Sequence, residues 1–227
     1  MGKDSGRCVI DLLHVDCMDY LATCEDNAFE LAIVDPPYGI GEHGGKKRTG
    51  KSKAWANAKP KMYKNKGWDK KPMEKGYFQE LKRISKNQII WGANHFAGNF
   101  DAASPGWVCW YKAGQNPNTD FSPIELAFTS FNKRANFFDF AWTGFGAVNA
   151  KEERIHPTQK PVKLYEWLLM NYAKEGDRIL DTHLGSGSIA VACHNLGFDL
   201  VGCELDPDYY AAACERLDKH KQQLRIF

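Results

Sequence analysis

Apolar positions along the chain fall into two kinds of run. Seven are short, near-continuous and of strand length: CVIDLLHV (8–15), FELAIV (29–34), NQIIWG (87–92), GWVCWYK (106–112), IELAFTSF (124–131), RILDTHL (178–184) and DLVGCEL (199–205). Such runs suit strands covered on both faces. Five others carry apolar residues at helical spacing: CMDYLATC (17–24), YFQELKRIS (77–85), PVKLYEWLLMNYAK (161–174), a stretch from GSGS at 185–188 through His194, and PDYYAAACERLDKHK (207–221). Pro161 and Pro207 stand where a proline starts a helix, and Gly176 and Gly197 where glycine stops one. Strand and helix alternate in the last third of the chain. That alternation predicts an α/β domain with a mostly parallel twisted sheet and helices on both faces.

Segment 42–72 breaks the pattern, being rich in Gly, Lys and Asn and without apolar periodicity. It reads as a basic loop inserted into a single domain spanning 1–227. The whole chain of 227 residues has a formal charge of only +2, yet residues 46–71 hold eleven Lys and Arg against one acid, Asp69. A merely solvated loop needs no rings, whereas Trp55, Tyr63 and Trp68 interleave with these cations. Cations mixed with rings suit phosphates and stacked bases, so Lys46, Lys47, Arg48, Lys51 and Lys53 are the expected nucleic-acid contacts. We expect this loop to be mobile alone and to close over a duplex.

Apolar residues at 43% suffice for a packed core. No run reaches membrane-spanning length, so no membrane is expected. The N-terminus lacks an apolar signal core, and the seven cysteines form no CxxC pair. Together these point to the reducing cytoplasm and to neither a disulfide framework nor a metal site.

Two strand ends carry chemistry. DTHLGSGSIA places Gly185 and Gly187 after a strand and at a helix start, and Glu204 ends the next strand 19 residues beyond Gly185. Glycines let a ligand approach the backbone, and an acid at that distance can take two ribose hydroxyls. About 20 residues follow Glu204, too few for the second half of a dinucleotide fold, so a single nucleoside ligand fits better. The rest of the sheet must come from the N-terminal part, which makes the order of motifs circularly permuted. The second end is LAIVDPPYGIG (31–41), where two prolines stop a strand beside Asp35 and Tyr38. A carboxylate and the Pro36 carbonyl can accept the hydrogens of an exocyclic base amine and localise its lone pair. The ring of Tyr38 can hold the base once it leaves the stack. Cytosine-C5 chemistry would want a cysteine after proline, and none stands there.

With these residues in view, the chain resembles the S-adenosylmethionine-dependent DNA amino-methyltransferases in which the catalytic motif precedes the cofactor motif. DPPYGI (35–40), HPTQKP (156–161), DTHLGSGS (181–188), CELD (203–206) and the pair Asp16–Cys17 carry the resemblance, with WGANHF (91–96) and WYK (110–112) beside them. It implies a Rossmann-like methyltransferase fold with S-adenosyl-L-methionine as cofactor. Asp35, Pro36, Pro37 and Tyr38 would form the catalytic pocket. Asp181 and the turn of Gly185, Ser186 and Gly187 would hold the methionine part. Glu204, with Asp206 after it, would take the ribose, and Asp16 and Cys17 would meet the adenine. His156, Thr158, Gln159 and Lys160 would line the approach to the cofactor. One departure stands out: the family commonly has Pro-Phe after the first Asp of the glycine motif, and this chain has Thr182-His183.

Function follows as an expectation: site-specific methylation of adenine N6 in double-stranded DNA, of the kind found in restriction–modification systems of a bacterial or phage-infected cell. A homodimer is compatible with this. Cytosine-N4 methylation is the nearest alternative, and a non-catalytic DNA-binding protein of the same fold is another. Trp91, Trp107 and Trp110, on apolar strands, read as core. His183 reads as a hydrogen-bonding structural residue. Residues 132–155 leave little room for a large target-recognition domain.

Overall fold

The computed structural model describes residues 8–41, 66–67, 69–112, 122–142 and 154–223. Eight strands form one sheet: β1 (Ile10–His14), β2 (Phe29–Val34), β3 (Ser85–Trp91), β4 (Trp107–Tyr111), β5 (Ile124–Thr129), β6 (Asn136–Asp139), β7 (Arg178–Asp181) and β8 (Asp199–Glu204). Five helices cover it: α1 (Cys17–Thr23), α2 (Lys75–Ile84), α3 (Val162–Tyr172), α4 (Ser188–Leu196) and α5 (Pro207–Gln222). The strand order is β1-β8-β7-β2-β3-β5-β4-β6. Every pairing is parallel except the two made by β5, which runs against both β3 and β4.

Helices pack on both faces, as the continuous apolar runs require. Leu31 and Ile33 of β2, with Trp91 and Trp110, face a core completed by α3, α4 and α5. Ala32 and Val34 face the opposite core, built from Leu21 of α1 and Tyr77, Phe78, Leu81 and Ile84 of α2. Trp91 and Trp110 are fully buried, and Trp107 is half-buried against Phe128.

Local chemistry sets the boundaries. Asp16 caps α1 by accepting the Met18 N–H, and Asp206 caps α5 by accepting from Asp208 and Tyr209, with Pro207 in the first turn. The strand expected over 178–184 ends at Asp181, whose carboxylate accepts the His183 N–H at 3.0 Å and turns the chain. The strand β6 and a 3-10 turn at Ala93–His95 have no counterpart in the sequence pattern. β6 is four residues long at the sheet edge and leaves Phe137 56% exposed, so it carries no inward apolar run to betray it.

Candidate active site

The parallel register aligns the carboxyl ends of β2, β7 and β8, where the neighbouring pairs are Asp181↔Gly202 and His14↔Glu204. In open α/β sheets ligands bind at such ends. Asp35, Asp181 and Glu204 all stand there, contributed by residues far apart in the chain.

Asp35 is fixed by two donors. The Tyr38 hydroxyl donates to Oδ1 at 2.5 Å and the Lys160 ammonium to Oδ2 at 2.5 Å. Lys160 also lies 3.3 Å from the Tyr38 hydroxyl and 3.2 Å from Oε2 of Glu125. A carboxylate has about four lone-pair sites, so two donors orient it and leave acceptor capacity. Tyr38 lies against Gly92, where a Cβ would come within 2.1 Å of its ring, and stacks on His95 with centroids 5.0 Å apart. Gly92 takes φ +67, a left-handed conformation that glycine adopts without strain. Burial and the neighbouring carboxylates of Asp35 and Glu125 push Tyr38 well above an ordinary phenol, so its hydroxyl remains a donor.

The glycine turn is equally ordered. Glu204 accepts the Gly185 N–H on Oε2 and the Asp206 N–H on Oε1, each at 2.8 Å. Burial pushes its carboxyl above the usual range. Asp181 is buried and pushed up to about 8, by burial first and by the Asp35 and Glu204 carboxylates after it. Gly187 (φ +68) opens α4 with its α-carbon directed at α5, 3.1 Å separating a would-be Cβ from Ala213.

The remaining expected residues divide by environment. The Lys160 side chain, only 4% exposed, points its amine at Asp35 rather than at the glycine turn. Its carbonyl accepts from Ser188 Oγ, which fixes its backbone to the start of α4. Gln159 is buried and ties its own loop, accepting the Ile155 N–H at Oε1 and the Trp142 indole N–H at its carbonyl. Ser186 is buried with its hydroxyl 3.0 Å from that of Ser188. His156 lies beside the turn, edge-on to Tyr209 at 4.3 Å, and burial next to Lys160 lowers it to about 3, a neutral ring. Thr158 is exposed with its hydroxyl 3.2 Å from His156 Nδ1. Asp16 spends one oxygen on its helix cap, and burial pushes the Cys17 thiol up to about 12. Where the family commonly carries Pro-Phe, Thr182 meets Tyr77 at 2.6 Å and His183 Nδ1 at 2.9 Å.

Lys46, Lys47, Arg48, Lys51 and Lys53 lie outside the described residues, as do Trp55, Tyr63 and Trp68. The end of the basic segment is described and tied to the site. Asp69, its one acid, is buried and accepts the Gly39 N–H at 2.7 Å. Lys66 pairs with Asp206 at 2.5 Å and Asp208 at 2.6 Å. No sequence motif contained Glu125, and Lys112 and His95 entered only within the pieces WYK and WGANHF, without a role of their own. The signal Glu125 left is a charge set within the apolar strand IELAFT.

Residues 77–215 match the model of the N6/N4 methylase family, described as DNA methylase. The match covers well over half of the chain. The chain belongs to this family of DNA methylases. The methylase is 26% identical over 234 residues to the Type II methyltransferase M.HpaI of Haemophilus parainfluenzae, covering 87% of this chain and 71% of that one. It is 24% identical over 252 residues to the Type II methyltransferase M2.DpnII of Streptococcus pneumoniae, covering 93% and 90%. Its fold is shared with the crystal structure of an M1.HpyAVI–SAM complex (TM-score 0.58, 18% identity, 92% of this chain and 100% of that one). It is also shared with the cytosine-N4-specific PvuII DNA methyltransferase (TM-score 0.59, 11% identity, 96% and 88%). Among the described residues no helix of the methylase is long and apolar enough to cross a membrane.

Proposed function

We propose that the methylase transfers a methyl group from S-adenosylmethionine to the exocyclic N6 amine of an adenine rotated out of double-stranded DNA. One observation carries this reading: the Asp35 carboxylate, held by Tyr38 and Lys160 at the end of β2, still has lone pairs to accept an amine hydrogen. The Asp–Pro–Pro–Tyr order at 35–38 favours adenine over cytosine by resemblance.

The turn suits the cofactor on its own terms. Glu204 uses one lone pair per oxygen on backbone donors and keeps others for a pair of ribose hydroxyls. When bound, the cofactor supplies an electrophilic methyl on a sulfonium. Asp35 and the Pro36 carbonyl accept the amine hydrogens, which draws the nitrogen lone pair out of conjugation and aims it along the transfer axis. Tyr38 supplies a wall for the flipped base, with the Gly92 backbone and His95 keeping the ring in place. The N–C bond would form as the methyl C–S bond breaks, its electron pair staying on sulfur as a neutral thioether; the nitrogen would release one proton to water, and no covalent enzyme intermediate is required.

The deciding experiment is methylation of plasmid DNA by the purified chain, followed by sequencing that distinguishes N6-methyladenine from N4-methylcytosine. N6-methyladenine at a fixed site is expected. N4-methylcytosine would replace the adenine assignment, and binding without any methylation would make the protein a DNA-binding relative. Asp35→Ala should lose at least about a hundred-fold in turnover, the scale of removing one preorganised group, while cofactor affinity stays within a few-fold.

A further inference from the structure

Two charged residues that no catalytic motif contains complete the environment of Asp35. Glu125 sits on β5, the one strand that runs against the rest of the sheet. Its Oε1 accepts from the Lys112 ammonium at 2.8 Å, and its buried Oε2, which takes no hydrogen bond, forms an ion pair with the Lys160 ammonium at 3.2 Å. Lys160 in turn reaches Asp35. The charges therefore alternate along a line, Lys112, Glu125, Lys160, Asp35, and end on the carboxylate assigned to the target amine.

Stability alone is a poor reason for this arrangement. Buried ion pairs are often matched or bettered by apolar residues of similar volume, because both charges must leave water. Geometry is a better one. A lysine has four flexible side-chain torsions, and one carboxylate partner would leave its ammonium free to pivot. Here a hydrogen bond to Asp35 and the charge of Glu125 at 3.2 Å hold it together, with the Trp91 ring 5.2 Å away and the Tyr38 hydroxyl 3.3 Å away. Lys112, with its side chain 13% exposed, holds Glu125 from behind.

We propose that Glu125 is a positioning residue for methyl transfer: braced by Lys112, it fixes the Lys160 ammonium, which holds the Asp35 carboxylate in the orientation that accepts the target amine. Electrostatics agree with the geometry. Burial alone would push Lys160 down, but Asp35 and Glu125 outweigh it and hold the amine above the usual lysine range. Burial alone would raise Glu125, and Lys160 and Lys112 outweigh it and hold it at about 2. The other titratable groups facing this cluster are Tyr38 at the end of β2, Tyr165 on α3, Asp181 at the end of β7 and His156. Asp35 and Glu125 are the two carboxylates paired with the Lys160 amine among the described residues, so removing Glu125 takes away one of them.

The inference rests on the reading of Asp35 as acceptor, and the test separates the two. Full-length wild type, Asp35→Ala, Glu125→Gln and Glu125→Gln/Lys112→Met are compared in turnover on plasmid DNA across pH, with cofactor affinity by calorimetry. Misplacing a reacting group by an ångström costs on the order of a hundred-fold, so Glu125→Gln should lose ten- to a hundred-fold in kcat, with cofactor Kd within about twofold. The alkaline limb of its kcat profile should move to lower pH, because Lys160 loses a carboxylate that keeps it protonated. A packing role would not move that limb. The double variant also removes the Lys112 charge left without its carboxylate, so it reports on turnover even where Glu125→Gln folds poorly, and the same loss is expected of it. Either variant turning over at the wild-type rate with an unmoved limb, while Asp35→Ala is inactive, overturns the positioning role alone. An active Asp35→Ala overturns the reading of the site, and this inference with it.

Discussion

Glu204 shows how one residue can couple binding to pH. Its carboxylate is pushed above the usual range by burial, and only the ionised form accepts hydroxyl donors on both oxygens. Cofactor affinity should therefore weaken as pH falls, beginning above the ordinary glutamate value of about 4.3. Glu204→Ala should cost roughly 1.5 to 3 kcal/mol for each charge-assisted bond removed, and Glu204→Gln should abolish the acid dependence. Calorimetric titration at several pH values checks both. Asp181 behaves in the opposite sense toward folding. Its carboxyl titrates at about 8 in the folded chain and near 3.9 when unfolded. The folded state thus binds the extra proton between these values, and stability falls as pH rises through that window. Asp181→Asn should flatten the decline of Tm from pH 5 to 8; an unchanged decline would assign it to other groups.

Among elements, the 3-10 turn after β3 governs the Tyr38 ring. Gly92→Ala would force a Cβ to within 2.1 Å of Tyr38 and demand φ +67 of an L residue. Overpacking of this kind costs about 1 to 3 kcal/mol. Displacing the Tyr38 ring should reduce turnover more than cofactor affinity, which kcat and calorimetry together would report. The turn also shows what sequence conveys. DPPY and the glycine turn were legible because each packs its chemistry into a few contiguous residues. The links among them were not: Lys160 meets Asp35 across 125 positions, and its brace Glu125 comes from a different strand again. Lys160 reads from its motif as lining the approach to the cofactor, and its amine turns toward Asp35. β6 escaped because an exposed four-residue edge strand buries too little to leave a pattern.

At the scale of the molecule, the proposed DNA contact is a matter of charge asymmetry. The segment from Lys46 to Lys71 carries ten net positive charges on a chain whose total is +2. If about four phosphates are neutralised there, log affinity should fall against log salt with a slope of about −3.6. Replacing Lys46, Lys47, Arg48 and Lys51 by Gln should flatten that slope and weaken all DNA sequences alike, since phosphate contacts position rather than specify. Binding isotherms at several salt concentrations decide it, and identical slopes would make the run a solvated surface.

The pairing of β1 with β8 has a consequence in time. Ile10 lies opposite Leu200, and β2 has β7 as one of its two neighbours. During synthesis β1 therefore waits until residue 200 is made before its partner exists, and β2 waits until residue 179 for one of its own. Contacts of such sequence separation slow folding and leave apolar edges open to other chains meanwhile. The acids of the site are assembled only when β7 and β8 close the sheet around strands made much earlier. A chain arrested before Asp199 would hold the Asp35 motif complete and still have no Glu204 to bind with. Methylating capacity should thus arise all at once, when β8 closes on β1 and β7.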